Sequence, residues 1–119
     1  MTENDWKREA RKQRRLEALG TNDPKCGLCG EEHWACLERH HVAGQAFDHA
    51  TVIACRNCHR KLSDEQRTHP TIDLRHDLFL QTLSRFLLGL ADMLVTLVET
   101  LRRFAADATA RAVTAEEAV

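Results

Sequence analysis

Two Cys-x-x-Cys pairs, Cys26/Cys29 and Cys55/Cys58, bracket the histidine pair His40-His41, and His59 directly follows the second cysteine pair. Each Cys-x-x-Cys can place two thiolates on one tight turn, and two such turns complete a tetrahedral metal site of the kind zinc occupies. Gly27 and Gly30 suit a metal-binding turn, and the intervening residues 30–54 leave room for a hairpin. A redox Cys-x-x-Cys or two unrelated pairs would be the competing chemistry. A closed four-cysteine site has no position open to water, so the Zn²⁺ expected here supplies folding free energy and not catalysis. The fifth cysteine, Cys36, falls in an expected strand and reads as a small buried hydrophobe.

The histidines carry a different chemistry. Neighbours on a strand point to opposite faces, so His40 and His41 serve one site only where the strand ends or twists, which Gly44 permits. His59 stands at the start of an expected helix, where the cysteine turn fixes its position. A histidine pair at a strand end and a histidine at a helix start can hold a divalent ion and supply a general base. An imidazole with its ordinary pKa of about 6.5 can accept a proton near neutral pH.

The elements around these residues must position them. A stretch as short as 21–70 builds too small a core to stand without a staple. The N-terminal residues MTENDWKREARKQRR have no apolar signal region, so the expected compartment is a reducing cytoplasm, where paired cysteines bind metal. Net charge is −1, and only its distribution is informative. Residues 4–19 read as a basic helix, capped by Asn4 or Asp5, ended by Gly20 and carrying a weak apolar stripe of Trp6, Ala10, Leu16 and Leu19. Its Lys7, Arg8, Arg11, Lys12, Arg14 and Arg15 are candidate phosphate contacts. After a turn at 20–25, strands are expected at 35–41 and 51–54, joined by a loop, with a helix from 56 to about 66. Pro70 breaks the chain. Residues 73–113 read as one long amphipathic helix capped by Thr71 or Asp73. Its Leu80, Leu83, Leu87, Leu90, Leu94, Leu97, Leu101 and Phe104 keep a heptad seam, which implies a homo-oligomer through 73–113 or packing on the preceding domain. Arg85, Asp92 and Glu99 interrupt that helix and argue against a membrane span. Residues 114–119 are expected to fray.

Cys-x-x-Cys, then Glu38-Arg39-His40-His41, then Cys-x-x-Cys-His resembles the HNH endonucleases with their ββα-metal nuclease motif. The resemblance covers about residues 26–66, and CRNCHRKLSD is especially similar to small bacterial and phage HNH proteins. It implies a small zinc-stapled ββα-metal domain (21–70), which with the basic helix (1–20) and the long amphipathic helix (71–113) read above makes an α+β fold. It also implies that His40 and His59 hold a catalytic divalent ion (Mg²⁺, Mn²⁺, Ni²⁺ or Zn²⁺), that His41 is the general base, and that the substrate is DNA. Two positions depart from the family pattern. Ala50 stands near where the family has its middle Asn, with Asp48 and His49 beside it as possible substitutes. Ser63 stands where many members carry another helix ligand.

Three functions follow. The first is a metal-dependent endonuclease that hydrolyses phosphodiester bonds. The second is a catalytically inactive zinc module that binds nucleic acid or protein and is oligomerised by its C-terminal helix. The third is an assembly or toxin-like protein acting through residues 78–104.

Overall fold

The structure, a computed structural model, describes residues 1–117, with side chains through residue 115. The chain is α+β. It runs through helix α1 (Glu3–Leu19), a single 3-10 turn (Trp34–Cys36), strands β1 (Leu37–His41) and β2 (Thr51–Cys55), helix α2 (Arg56–Gln66) and helix α3 (Leu78–Glu117).

Helix α1 starts one residue earlier than its sequence suggests. Thr2 caps it, accepting from the Asp5 N–H, while the Asp5 carboxylate accepts from the Thr2 N–H at 2.8 Å. This reciprocal pair satisfies two otherwise unpaired donors. Gly20 ends the helix at φ 76°, a left-handed conformation that favours glycine. Only Leu16 and Leu19 are buried, and Trp6 is exposed, so α1 docks by its C-terminal end alone. Arg39 strengthens that docking by donating from Nε to the Ala18 carbonyl at 2.7 Å.

β1 and β2 pair antiparallel, in a register that sets Leu37 against Cys55 and His41 against Thr51. The Val42 N–H donates to the Ala50 carbonyl at 3.1 Å, one rung beyond the strands. β1 begins at Leu37 and not at residue 35, because the His33 imidazole accepts from the Ala35 N–H and closes the 3-10 turn. That turn leaves Cys36 exposed, which corrects the expectation of a buried residue.

The core gathers Leu19, Cys26, Leu28, Leu37, Ala54, Cys55, Cys58 and Leu62, with Met93 and Leu97 of α3 against it. Three of these are cysteines, so core and cysteine cluster are one structure. In so small a core, removing the cluster also removes much of the buried surface.

Helix α3 begins five residues later than expected, and neither Thr71 nor Asp73 caps it. The Asp73 carboxylate is taken by Arg75, and its backbone exchanges bonds with the Gln81 amide at 2.7 and 2.8 Å. Residues 73–77 thus fold back as a turn, and Asp77 accepts from the Leu80 N–H at 2.9 Å, as an N-cap does. At the other end the helix continues to Glu117, through part of the stretch expected to fray; residues 118–119 lie outside the described residues. By length and composition α3 could cross a membrane, with a mean hydropathy of 1.5 in its most apolar window.

The face that α3 turns to the domain is polar and small. Arg85, Gly89, Thr96 and Thr100 are buried. Arg85 donates to the carbonyls of Ala43 (3.1 Å) and Pro70 (2.6 Å) and lies 4.1 Å over the Phe47 ring. Burial pulls its pKa below the ordinary value. Thr96 and Thr100 donate to the carbonyls of Asp92 and Thr96, four residues back, so both hydroxyls are satisfied without leaving the helix. A Cβ on Gly89 would overlap the Val42 carbonyl oxygen. The leucine seam faces mainly outward: of its residues only Leu97 packs on the core.

Candidate metal centre and basic cleft

The four cysteines come together as the two turns require. In the first, the Gly30 N–H closes on the Cys26 carbonyl at 3.0 Å, and the Gly27 N–H reaches Ile53 of β2 at 3.0 Å. In the second, Cys55 ends β2 and caps α2, its Sγ accepting from the Cys58 N–H at 3.4 Å. The four Sγ atoms all lie within 4.8 Å of one another, and Cys29 Sγ is 3.6 Å from Cys55 Sγ. These thiols differ in acidity. For Cys26, burial works upward, but backbone hydrogen bonding at Cys55, Leu28 and Cys29 outweighs it and brings the pKa down to about 7. Burial pushes Cys29 and Cys58 up, and the neighbouring thiols push further. Four thiolates this close repel one another unless a cation sits among them. The cluster could hold a metal ion.

Among the described residues, this is the one group of three or more His, Cys, Asp or Glu donors with such spacing. The histidines form a looser arrangement beside it. Glu38 and His40 share one face of β1 by strand alternation, and both meet α2. His59 Nδ1 lies 2.8 Å from Glu38 Oε2, and the other carboxylate oxygen is 3.2 Å from Arg56 Nε. The His40 and His59 rings meet edge to face with centroids 5.2 Å apart. His40 is only 1% exposed. Burial first, then the nearby His59 and His41, lower its pKa to about 4, against a small upward pull from Asp92. Gln66 lies 3.4 Å from His40 Nε2 and donates to the carbonyls of His41 (2.8 Å) and Val42 (3.2 Å).

His41 falls on the other face of β1, the face of Arg39 and Thr51, at the end of the strand. The structure therefore joins His40 to His59 and sets His41 apart from them. Asp48 and His49 lie in the loop between the strands, where the Asp48 carboxylate accepts from the His49 N–H at 2.6 Å. No described hydrogen bond joins either residue to His40 or His59. Ser63, one turn beyond His59, lines the same cleft as His59.

That cleft has a volume of about 980 Å³ and is walled by Glu38, His59, Arg56, Arg60, Lys61 and Arg67, among others. A second groove, about 450 Å³, runs between α1 and the 3-10 turn and is lined by Arg11, Arg14, Arg15, Trp34 and Arg56. Arg56 belongs to both. Arg8 and Lys12 line a separate hollow nearer the N-terminus, and Lys7 is paired with Glu3 at 3.3 Å. The chain matches no family model, no curated protein and no solved structure in the three comparisons.

Reading the sequence missed several of these residues. Glu38 sits two residues before His40, and strand period alone puts the two on one face. Arg56, Arg60 and Arg67 recur at helical spacing along α2. No sequence signal links His69 to Asp92, yet His69 Nε2 lies 2.8 Å from Asp92 Oδ2, and His69 Nδ1 is buried without a partner.

Proposed function

We propose that this chain is a metal-dependent endonuclease of the HNH type, acting on DNA, with its cysteine cluster filled by structural Zn²⁺. The observation that carries the reading is the pair of Glu38 and His59 on the wall of a basic cleft, with the buried His40 ring packed edge to face against His59. The strand–strand–helix order around it is the order of a ββα-metal motif.

The cysteine donor set fits the ion assigned to it. Thiolates bound tetrahedrally at about 2.3 Å stand roughly 3.8 Å apart, and the Cys29–Cys55 separation of 3.6 Å is close to that. With Nδ1 of His59 engaged by Glu38, Nε2 is the nitrogen left to bind an ion. A carboxylate behind a ligating imidazole commonly fixes its tautomer and orientation. A divalent ion held by His40 and His59 would stabilise charge on the scissile phosphate. Histidine donors suit Mn²⁺, Ni²⁺ or Zn²⁺ better than Mg²⁺. His41, at the strand end, is the group assigned to take a proton from water. Arg56, Arg60 and Arg67 attract the phosphodiester backbone, and Arg11, Arg14 and Arg15 extend the contact along α1. The chain works in a reducing compartment such as the cytoplasm, where its thiols stay available to metal.

The burial of His40 favours a second reading, a zinc-stapled module that binds nucleic acid without cutting it. One experiment separates the two. Zinc-loaded protein is incubated with supercoiled plasmid and Mg²⁺, Mn²⁺ or Ni²⁺, beside His41→Ala. Nicking that needs the added ion and disappears in His41→Ala, with zinc content unchanged, supports the nuclease. Wild-type cutting by His41→Ala removes the base assignment. Salt-dependent DNA binding without cutting under any ion gives the second reading.

A further inference from the structure

We infer that the outward face of α3 is the docking surface for a second copy of this chain, joined helix to helix along the leucine seam. Three observations converge on this occupant.

The first is the division of the helix between two faces. Between Leu78 and Leu101 the charged residues are Arg85, Asp92 and Glu99, seven residues apart and so on one line. Arg85 and Asp92 lie on the side turned to the domain, where Arg85 holds Ala43 and Pro70 and Asp92 meets His69, while Glu99 is exposed further along the same line. The other side carries no charge over about 24 residues, which at 1.5 Å per residue is a strip roughly 36 Å long. Leu87 and Leu94, near its middle, are 53% and 57% exposed. The helix therefore meets its own domain with its polar line and with Met93 and Leu97, and leaves the rest of its apolar side open.

The second is area. On a helix about 10 Å wide the strip has a footprint of roughly 350 Å², in the range of the largest patch a soluble monomer leaves open.

The third is period. Leu80, Leu83, Leu87, Leu90 and Leu94 keep three-and-four spacing, with Leu101 one heptad beyond Leu94, a pattern that a second helix requires and a lipid surface does not. The same strip on both copies is self-complementary about a two-fold axis. Crossing a bilayer would strip Arg85 from its two carbonyls and Asp92 from His69, at a cost of charges at bilayer depth. An interfacial helix needs a charged face in water, whereas here Arg85 and Asp92 of that face lie on the protein.

The test is the mass in solution. Light scattering on a sizing column, with zinc-loaded full-length protein at tens of micromolar, should give twice the chain mass of 13.6 kDa. Leu87→Lys/Leu94→Lys and, separately, Ala91→Arg should halve that mass with helix content and zinc content unchanged. These side chains touch solvent in the single chain, so their replacement leaves its fold intact. A wild-type monomer overturns the inference, as does a dimer that persists in both variants. Sedimentation with phosphatidylcholine–phosphatidylglycerol vesicles supplies the other arm. Wild-type protein that binds vesicles as a monomer assigns the face to lipid and also overturns it. DNA cutting does not enter the readout, so the inference and the nuclease proposal fail separately.

Discussion

Glu38 holds His59 from behind: its Oε2 lies 2.8 Å from Nδ1, while Oε1 is 3.2 Å from Arg56 Nε. One carboxylate thereby ties the first strand to the first turn of α2 and leaves His59 Nε2 unengaged by it. Glu38→Ala frees the ring to rotate. If the proposed nuclease holds, cleavage should fall by about 10- to 100-fold, the usual cost of losing such a partner. Zinc content should not change, because Glu38 is not among the four clustered donors. Glu38→Gln, which can still accept from Nδ1, should retain more activity than Ala. Plasmid nicking rates for both variants, with metal content measured beside them, check this.

Cys55 joins three parts of the fold. It ends β2, caps α2 and lies against Cys29. Cys55→Ala should reduce bound zinc from about one ion per chain to none, and chelation of the wild type should have the same result. Structural zinc binding contributes roughly 10–16 kcal/mol in small zinc domains, as much as the whole ~5–15 kcal/mol net stability of an ordinary domain. The expected outcome is loss of cooperative unfolding in residues 21–70, read by circular dichroism and a metal assay. A cooperative, zinc-free Cys55→Ala protein would refute the staple.

Gly89 lets α3 pack closely against Val42. A methyl group there overlaps the Val42 carbonyl oxygen, and that backbone cannot yield as a side-chain tip would. Gly89→Ala should destabilise by about 1–3 kcal/mol through overpacking, despite alanine being the better helix former by roughly 1 kcal/mol. Thermal unfolding should show a lower midpoint with no loss of zinc. Exchange of the Thr96 and Thr100 amides should also speed up as α3 lifts. A midpoint at or above wild type would contradict the close approach.

His40 is held neutral by its burial, with a pKa lowered to about 4. An unfolded histidine takes its proton near 6.5, so between those values the unfolded chain binds more protons than the folded one. Stability is then complete above about pH 6.5 and declines as pH falls toward 4. In zinc-loaded protein without added divalent ion, the unfolding midpoint should drop between pH 7 and pH 5. His40→Asn should flatten that dependence. The imidazole signals of His40 in NMR should still be those of the neutral ring at pH 5.

Much of this was legible in the chain itself, for local reasons. The cysteine pairs and the start of α2 follow from spacings of a few residues, and the structure keeps them. Gly20 and Gln66 end their helices where the sequence places those ends. Some errors were also local. The imidazole of His33 makes a turn of residues expected in a strand, and the Asp73 carboxylate binds Arg75 in place of starting a helix.

What only the tertiary structure decided is which side of each element meets what. Composition sets the heptad seam on α3, but not whether that seam turns inward. Here the domain takes the polar line of Arg85, Gly89 and Asp92, because Gly89 allows contact with Val42 and Arg85 satisfies two carbonyls. Likewise the sequence puts His40 and His41 side by side, and the strand then separates them. His40 lies with Glu38 under α2, while His41 shares the other face with Arg39 and Thr51. Spacing along the chain fixes period, and long-range packing fixes phase. The sequence alone could therefore name the residues of a site, while only the packing of α2 and α3 on the strands assigned them to faces.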